Sequence, residues 1–171
     1  LKLYPKDGKK SDLSQAKKFF QDAIQAGKGL DPTLVEAYVN LAMILRMEGK
    51  GNKKLQVEAL KNLQRALVID SKSMDAFLQM AELYRDMASA EKDDSRLDLA
   101  TLVITQGQLI EAEKGEPYPA FNLTLGLMKM ERGDIIGALK NFTAAYGKEA
   151  DLFEAYMNSG AITIGFRGYE D

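Results

Sequence analysis

The sequence has no cysteine, no histidine and no tryptophan in 171 residues, and only 4 prolines. Without cysteine there are no disulfides, no thiol nucleophile and no thiolate metal site in these residues. The compartment stays open, because a cysteine-free chain suits either redox environment. Without histidine, the commonest acid–base group and metal ligand is missing too. No apolar run approaches the ~20 residues of a membrane-spanning helix, and no export signal is visible. A chain that starts at Leu1 and stops at Asp171 in the middle of a pattern is expected to be a piece of a longer protein, from which a leader could have been removed. The expectation is a soluble chain, cytoplasmic or periplasmic, that is not an enzyme and takes no cofactor or metal.

What is present is ordinary for a folded protein: 46% hydrophobic and 28% charged residues. The formal charge of −2 is unevenly spread. Residues 1–72 hold 14 Lys/Arg against 8 Asp/Glu, and residues 73–171 hold 9 against 17. Such polarity could orient a charged partner along the molecule, although a solvated surface of drifting composition is the simpler account.

The informative signal is internal repetition. Ala138-x3-Phe142-x2-Ala145 recurs as Ala16-x3-Phe20-x2-Ala23, as Ala59-x3-Leu63-x2-Ala66, and in weaker form as Ala100-x3-Ile104-x2-Gly107. A second pattern alternates with it: Tyr38-x2-Leu41-Ala42-x2-Leu45, Phe77-x2-Met80-Ala81-x2-Tyr84, Asn122-x2-Leu125-Gly126 and Tyr156-x2-Ser159-Gly160. Apolar residues three and four apart predict helices, so the unit is a pair of helices. Asp31-Pro32 offers a cap followed by Pro at the first helical position. Asp12 with Gln15, and Asp151 with Glu154, have capping-box spacing. Gly133-Asp134 supplies a stop and then a new cap. Strand signals are nearly absent; the ITIGF run near the end falls where a helix is expected. The fold class is all-α.

These alternating motifs resemble the tetratricopeptide repeat family along the whole chain. The equivalent small residues Ala42, Ala81, Gly126 and Gly160 lie 39, 45 and 34 residues apart, against a family period of ~34. The surplus is expected in GKGNKK (49–54) and around ASAEKDDSR (88–96), as exposed turns, with the helix after the second running on towards Lys114. The resemblance implies a right-handed superhelical solenoid of antiparallel helix pairs. Its divisions would be a half repeat 1–30, repeats 31–72, 73–117 and 118–151, and a half repeat 152–171. Asn122 and Lys129 depart from the family's aromatic preference, with Phe121 and Tyr118 available to compensate. Ser71 and Ala150 replace its closing Pro. Gly126 and Ala138 would let the two helices of one pair cross closely, Phe142 would fill the space beside them, and Ala145 would leave room for the next helix.

Other motifs carry little. Gly27-Lys28-Gly29 and Gly49-Lys50-Gly51 do not complete a phosphate-binding loop and read as turns. Asn122-Leu123-Thr124 and Asn141-Phe142-Thr143 match the glycosylation sequon but fall inside predicted helices. Asp93-Asp94 and Glu111/Glu113 lack the ordered spacing of a calcium loop. Lys6, Lys9, Lys10, Lys17 and Lys18, with Lys50, Lys53 and Lys54, have no aromatic platforms between them, which disfavours nucleic acid.

By the family resemblance, the residue after the aromatic slot of each first helix and the one four later line a concave groove. That floor is Val39 and Met43, Leu78 and Glu82, Leu123 and Leu127, Met157 and Ala161. Around it lie Glu36, Asn40, Arg46, Asp75, Gln79, Arg85, Asp86, Thr124, Met130, Glu131, Glu154 and Asn158. The protein-binding set is Val39, Asn40, Met43, Leu78, Gln79, Glu82, Arg85, Leu123, Leu127, Met157 and Asn158. An apolar row continued over four helices suits a bound peptide or helix; packing between neighbouring first helices is the alternative use of the same residues. The family's carboxylate-clamp members, which bind chaperone C-termini, use Lys and Asn at such places, and Lys is lacking here. The function implied is a protein–protein interaction scaffold or adaptor. A substrate-recognition segment of a larger enzyme or transferase, or a structural subunit of an envelope or transport machine, remains open. Exposed half-repeat ends would permit self-association.

Overall fold

The computed structural model describes residues 10–27, 30–148 and 157–162. Seven α-helices run along them: α1 (Lys10–Ala26), α2 (Leu34–Glu48), α3 (Lys53–Ile69), α4 (Met74–Glu91), α5 (Ser95–Lys114), α6 (Ala120–Glu131) and α7 (Ile135–Lys148). Residues 157–162 are helical as well, and no strand occurs among the described residues. The Asp151 and Glu154 pair and the ITIGF run beyond Ile162 lie outside them.

Helices pack in consecutive pairs: α2 on α3, α4 on α5, α6 on α7. Within each pair the link is three or four residues, which forces the two helices to run antiparallel. Contacts of α1 with α2, α3 with α4 and α5 with α6 join the pairs. In addition α2 touches α4, and α4 touches α6. The first helices of the three pairs therefore form a row, with α3, α5 and α7 each packed against its own member of that row.

The repeated small residues set these distances. Ala59, Ala66, Ala81, Ala100, Ala138 and Ala145 are all fully buried, as are the large side chains Phe121, Phe142, Leu63, Leu83 and Ile104 that fill the space between them. Within the third pair, a Cβ on Gly126 would lie 2.4 Å from Phe142 Cε1. Between the second and third pairs, a Cβ on Gly107 would lie 2.3 Å from Phe121 Cζ. The glycines are thus sockets for the two phenyl rings. Phe121, one residue before the family's aromatic slot, is the ring that compensates for Asn122, and Tyr118 tilts against it at 4.7 Å between centroids.

Helix ends follow the local chemistry. Gly133 has φ +78 and closes α6: its N–H donates to Met130 O at 3.0 Å, and Asp134 N–H reaches back to Lys129 O at 2.9 Å, the paired bonds of a Schellman stop. Asp134 then caps α7 by accepting from Gly137 N–H at 2.9 Å. Asn52 and Ser73 cap α3 and α4 in the same way. Asp31 accepts from the backbone and hydroxyl of Thr33, which places the cap a turn ahead of Leu34.

Two expectations need correction. Asp12, expected to precede its helix, lies inside α1, which is already helical at Lys10. The turns fall inside the two surplus segments but are shorter than expected: α3 takes in Lys53 and Lys54, α4 runs to Glu91 and α5 starts at Ser95. The connections shrink to residues 49–52 and 92–94. Propensity explains this, since Lys, Ala and Glu extend a helix readily once its apolar face is anchored. Asn52 accepts from Lys54 N–H and Leu55 N–H, so capping begins one residue before the lysines. The second extended helix ends at Lys92, which takes the left-handed conformation at φ 53.

Candidate functional site

The row of first helices presents equivalent positions side by side. Val39, Leu78 and Leu123 form one line, followed along the helices by Met43, Glu82 and Leu127, then Arg46, Arg85 and Met130, then Met47, Asp86 and Glu131. The first line is largely consumed by packing. Val39 is 8% exposed and belongs to the core between the first two pairs. Leu78 packs partly buried on the second core cluster, and Leu123 and Leu127 on the third. Val39 and Leu78 join clusters that span neighbouring first helices, whereas Leu123 and Leu127 pack towards Ala138, Phe142 and Ala145 of α7.

Further along, the face is charged and closely knit. Arg46 Nη1 donates to Glu82 Oε2 at 2.9 Å and to Asp86 Oδ2 at 3.3 Å. Arg85 Nη1 donates to Glu82 Oε1 at 3.2 Å, and its Nε pairs with Glu131 Oε1 at 3.1 Å. The Thr124 hydroxyl donates to Glu82 Oε1 at 2.8 Å. One carboxylate, Glu82, thereby joins α2, α4 and α6, and its side chain is 18% exposed. Burial pushes the Asp86 carboxyl above its ordinary range, with Glu82 adding to the effect and Arg46 opposing it. Burial likewise raises Glu131, against the pull of Arg85. Three carboxylates share two guanidinium groups, so the network carries one negative charge more than it neutralises internally. Its chemical capability is to fix the first helices and to offer acceptors to a cationic or hydrogen-bonding ligand.

The remaining sequence-predicted residues are dispersed around this network. Asn40 and Met43 are half-buried on α2, and Asn158 is half-buried while Met157 is exposed in the last described helix. Gln79 turns its Oε1 into a buried position without a hydrogen-bond partner. Asp75 accepts from the Tyr118 hydroxyl, and burial with that carboxylate pushes the phenol pKa far up, so Tyr118 remains a donor. Exposed Met47 escaped the sequence reading, although it lies four residues beyond Met43. Met47 and Met130 are large apolar side chains left open beside this network.

The discarded motifs are accounted for in part. Gly49-Lys50-Gly51 is the turn between α2 and α3, while Lys28 and Gly29 lie outside the described residues. Asn122 and Thr124 are buried in α6, and Asn141 donates to Gly137 O within α7. Among the described residues no acidic group of three or more is placed to hold a metal ion, and no helix is long and apolar enough to cross a membrane.

No protein-family model matches the chain. Over 155 residues, 91% of this chain, it is 23% identical to the BBSome complex member BBS4 homolog of Drosophila melanogaster. The chain spans 28% of that protein's length. It is a distant homologue of a protein whose name places it in a multiprotein complex.

Proposed function

We propose that this chain is a scaffold segment of a multiprotein assembly, built as a right-handed array of tetratricopeptide-like helix pairs and without catalytic chemistry of its own. Its row of first helices binds a peptide or helix of a partner. The observation that carries this reading is the continuity of α2, α4 and α6, which touch in series and share the Arg46, Glu82 and Arg85 network across their contacts. That network stiffens the face, so little ordering is required when a ligand arrives. Flexible methionines left open beside it adapt to an apolar segment. Similarity to a complex member supports protein partners in general.

The test is affinity capture with the chain and its variants. Met47→Glu and Met130→Glu together should reduce partner recovery at least about tenfold, since an apolar ligand would have to bury uncompensated charge. Both side chains are exposed, so the variant should keep its helical circular dichroism. Full recovery of the same partners by a folded double variant would overturn the inner face as the binding surface. The more deeply packed Leu78 and Leu123 are poor choices, because Glu there would disturb the core clusters they touch.

A further inference from the structure

The second helix of the second pair carries a surface that the inner face does not explain. From Leu99 to Ile110, α5 contains no charged residue. Leu99, Leu102 and Leu109 point outward from it, 40%, 57% and 61% exposed. Their spacing puts them on one side of the helix. The equivalent face of α3 is different: Lys54, Lys61 and Arg65 stand exposed between and beside Val57 and Val68. A bare apolar strip is therefore not a general property of the second helices.

The residues along the strip are ordered about a midpoint. Its midpoint is the exposed pair Thr105-Gln106. Counted outward from that pair, the third residue in each direction is a leucine, Leu102 or Leu109. The sixth is Leu99 on one side and Ala112 on the other, and the seventh is an acid on both, Asp98 and Glu113. All of these are exposed. Each acid already holds a cation from another part of the chain: Asp98 binds Arg132 of the α6–α7 turn at 2.6 Å, and Glu113 binds Lys72 of the α3–α4 link. In an antiparallel self-contact about this midpoint, leucine meets leucine at the third position and each residue i contacts a residue j that contacts i in return, as an isologous interface requires.

We propose that α5 docks against α5 of a second copy of this chain, antiparallel about Thr105-Gln106. Leu102 of each copy then lies on Leu109 of the other, and Leu99 lies over the small Ala112. At each end two carboxylates and two cations come together, so no net charge opposes the contact. Antiparallel packing also sets the helix macrodipoles against one another, with opposite ends adjacent. Because the acids are already neutralised in place, the strip offers little to a partner selected by charge. Three leucines per copy fall well short of the ~800 Å² per side of a stable interface, so the dimer is weak and concentration-dependent. It is independent of the inner face, which stays open in each copy.

Sedimentation of the chain over a wide concentration range tests the contact, and cysteine pairing tests its direction. The weight-average mass should rise towards twice the monomer value. Leu102→Glu with Leu109→Glu should weaken this association at least about tenfold by burying charge against the opposing leucines. Val57→Glu with Val68→Glu on α3 should leave it unchanged. The chain has no cysteine of its own, so Leu102→Cys and Leu109→Cys can be compared directly. Mixed together, the two variants should form an interchain disulfide. Either alone should not, because like positions are separated by about 10 Å along the axis, seven residues at 1.5 Å each. A chain that stays monomeric at all concentrations, association unchanged in the folded leucine-to-glutamate variant, or disulfides within each single-variant sample would overturn the proposal.

Discussion

Gly126 shows how much of this architecture rests on single atoms. Phe142 occupies the volume a Cβ would need, at 2.4 Å from Cε1, and the ring is fully buried. Gly126→Ala should therefore cost ~1–3 kcal/mol by overpacking, measured by urea denaturation, and Phe142→Leu in the same chain should relieve part of that loss. Ala138→Leu should cost a similar amount for the same reason. Along the row of first helices, Glu82 and Asp86 should behave differently although both are carboxylates touching Arg46. Glu82→Ala removes the acceptor of Arg46, Arg85 and Thr124 together and should cost ~1–3 kcal/mol. Asp86→Asn should be close to neutral at pH 7, because burial already disfavours its charge. The sign for pH follows from linkage: a carboxyl whose pKa is higher folded than unfolded contributes stability below its unfolded pKa, and loses it as pH rises through the folded pKa. Asp86 and Glu131 therefore favour the fold on the acid side. Carbon-detected titration should place both above ordinary Asp and Glu; ordinary or lowered values would refute the burial described here.

At the scale of the helix, much was legible in the sequence and some was not. Helix existence and pairing could be read from Ala138-x3-Phe142-x2-Ala145 and its copies, because small and large residues at helical spacing have few other uses. The stop at Gly133 and the cap at Asp134 were legible because a positive φ and a free carboxylate acceptor are local requirements. The extents of α3, α4 and α5 were not: GKGNKK and ASAEKDDSR look loop-like in composition, yet a helix already anchored by its apolar face continues through Lys, Ala and Glu. The resemblance placed Arg46, Glu82 and Arg85 along one face, but their pairing was not legible, since Arg46 stands 36 residues from Glu82 and meets it only when α2 and α4 pack together. The short turns carry a prediction. Deleting residues 92–94 leaves no connection between α4 and α5 and should abolish the cooperative unfolding of that pair, where an exposed loop would tolerate the loss. Calorimetry distinguishes the two.

At the scale of the molecule, the chain is a row of antiparallel pairs whose first helices touch in series, and it matches 28% of a much longer protein named as a complex member. In an array of this kind each pair is stabilised chiefly by its neighbours, so the inner face is assembled only when successive pairs stack. The central claim is that this face, rather than the outer surface of the third pair, meets the partner. Site-specific photo-cross-linking tests it directly: a photoreactive amino acid at Met130, on the inner face, is compared with one at Thr143, exposed on α7. The account predicts partner adducts from position 130 that diminish in the Met47→Glu background, and none from position 143; adducts at 143 with none at 130 would contradict it.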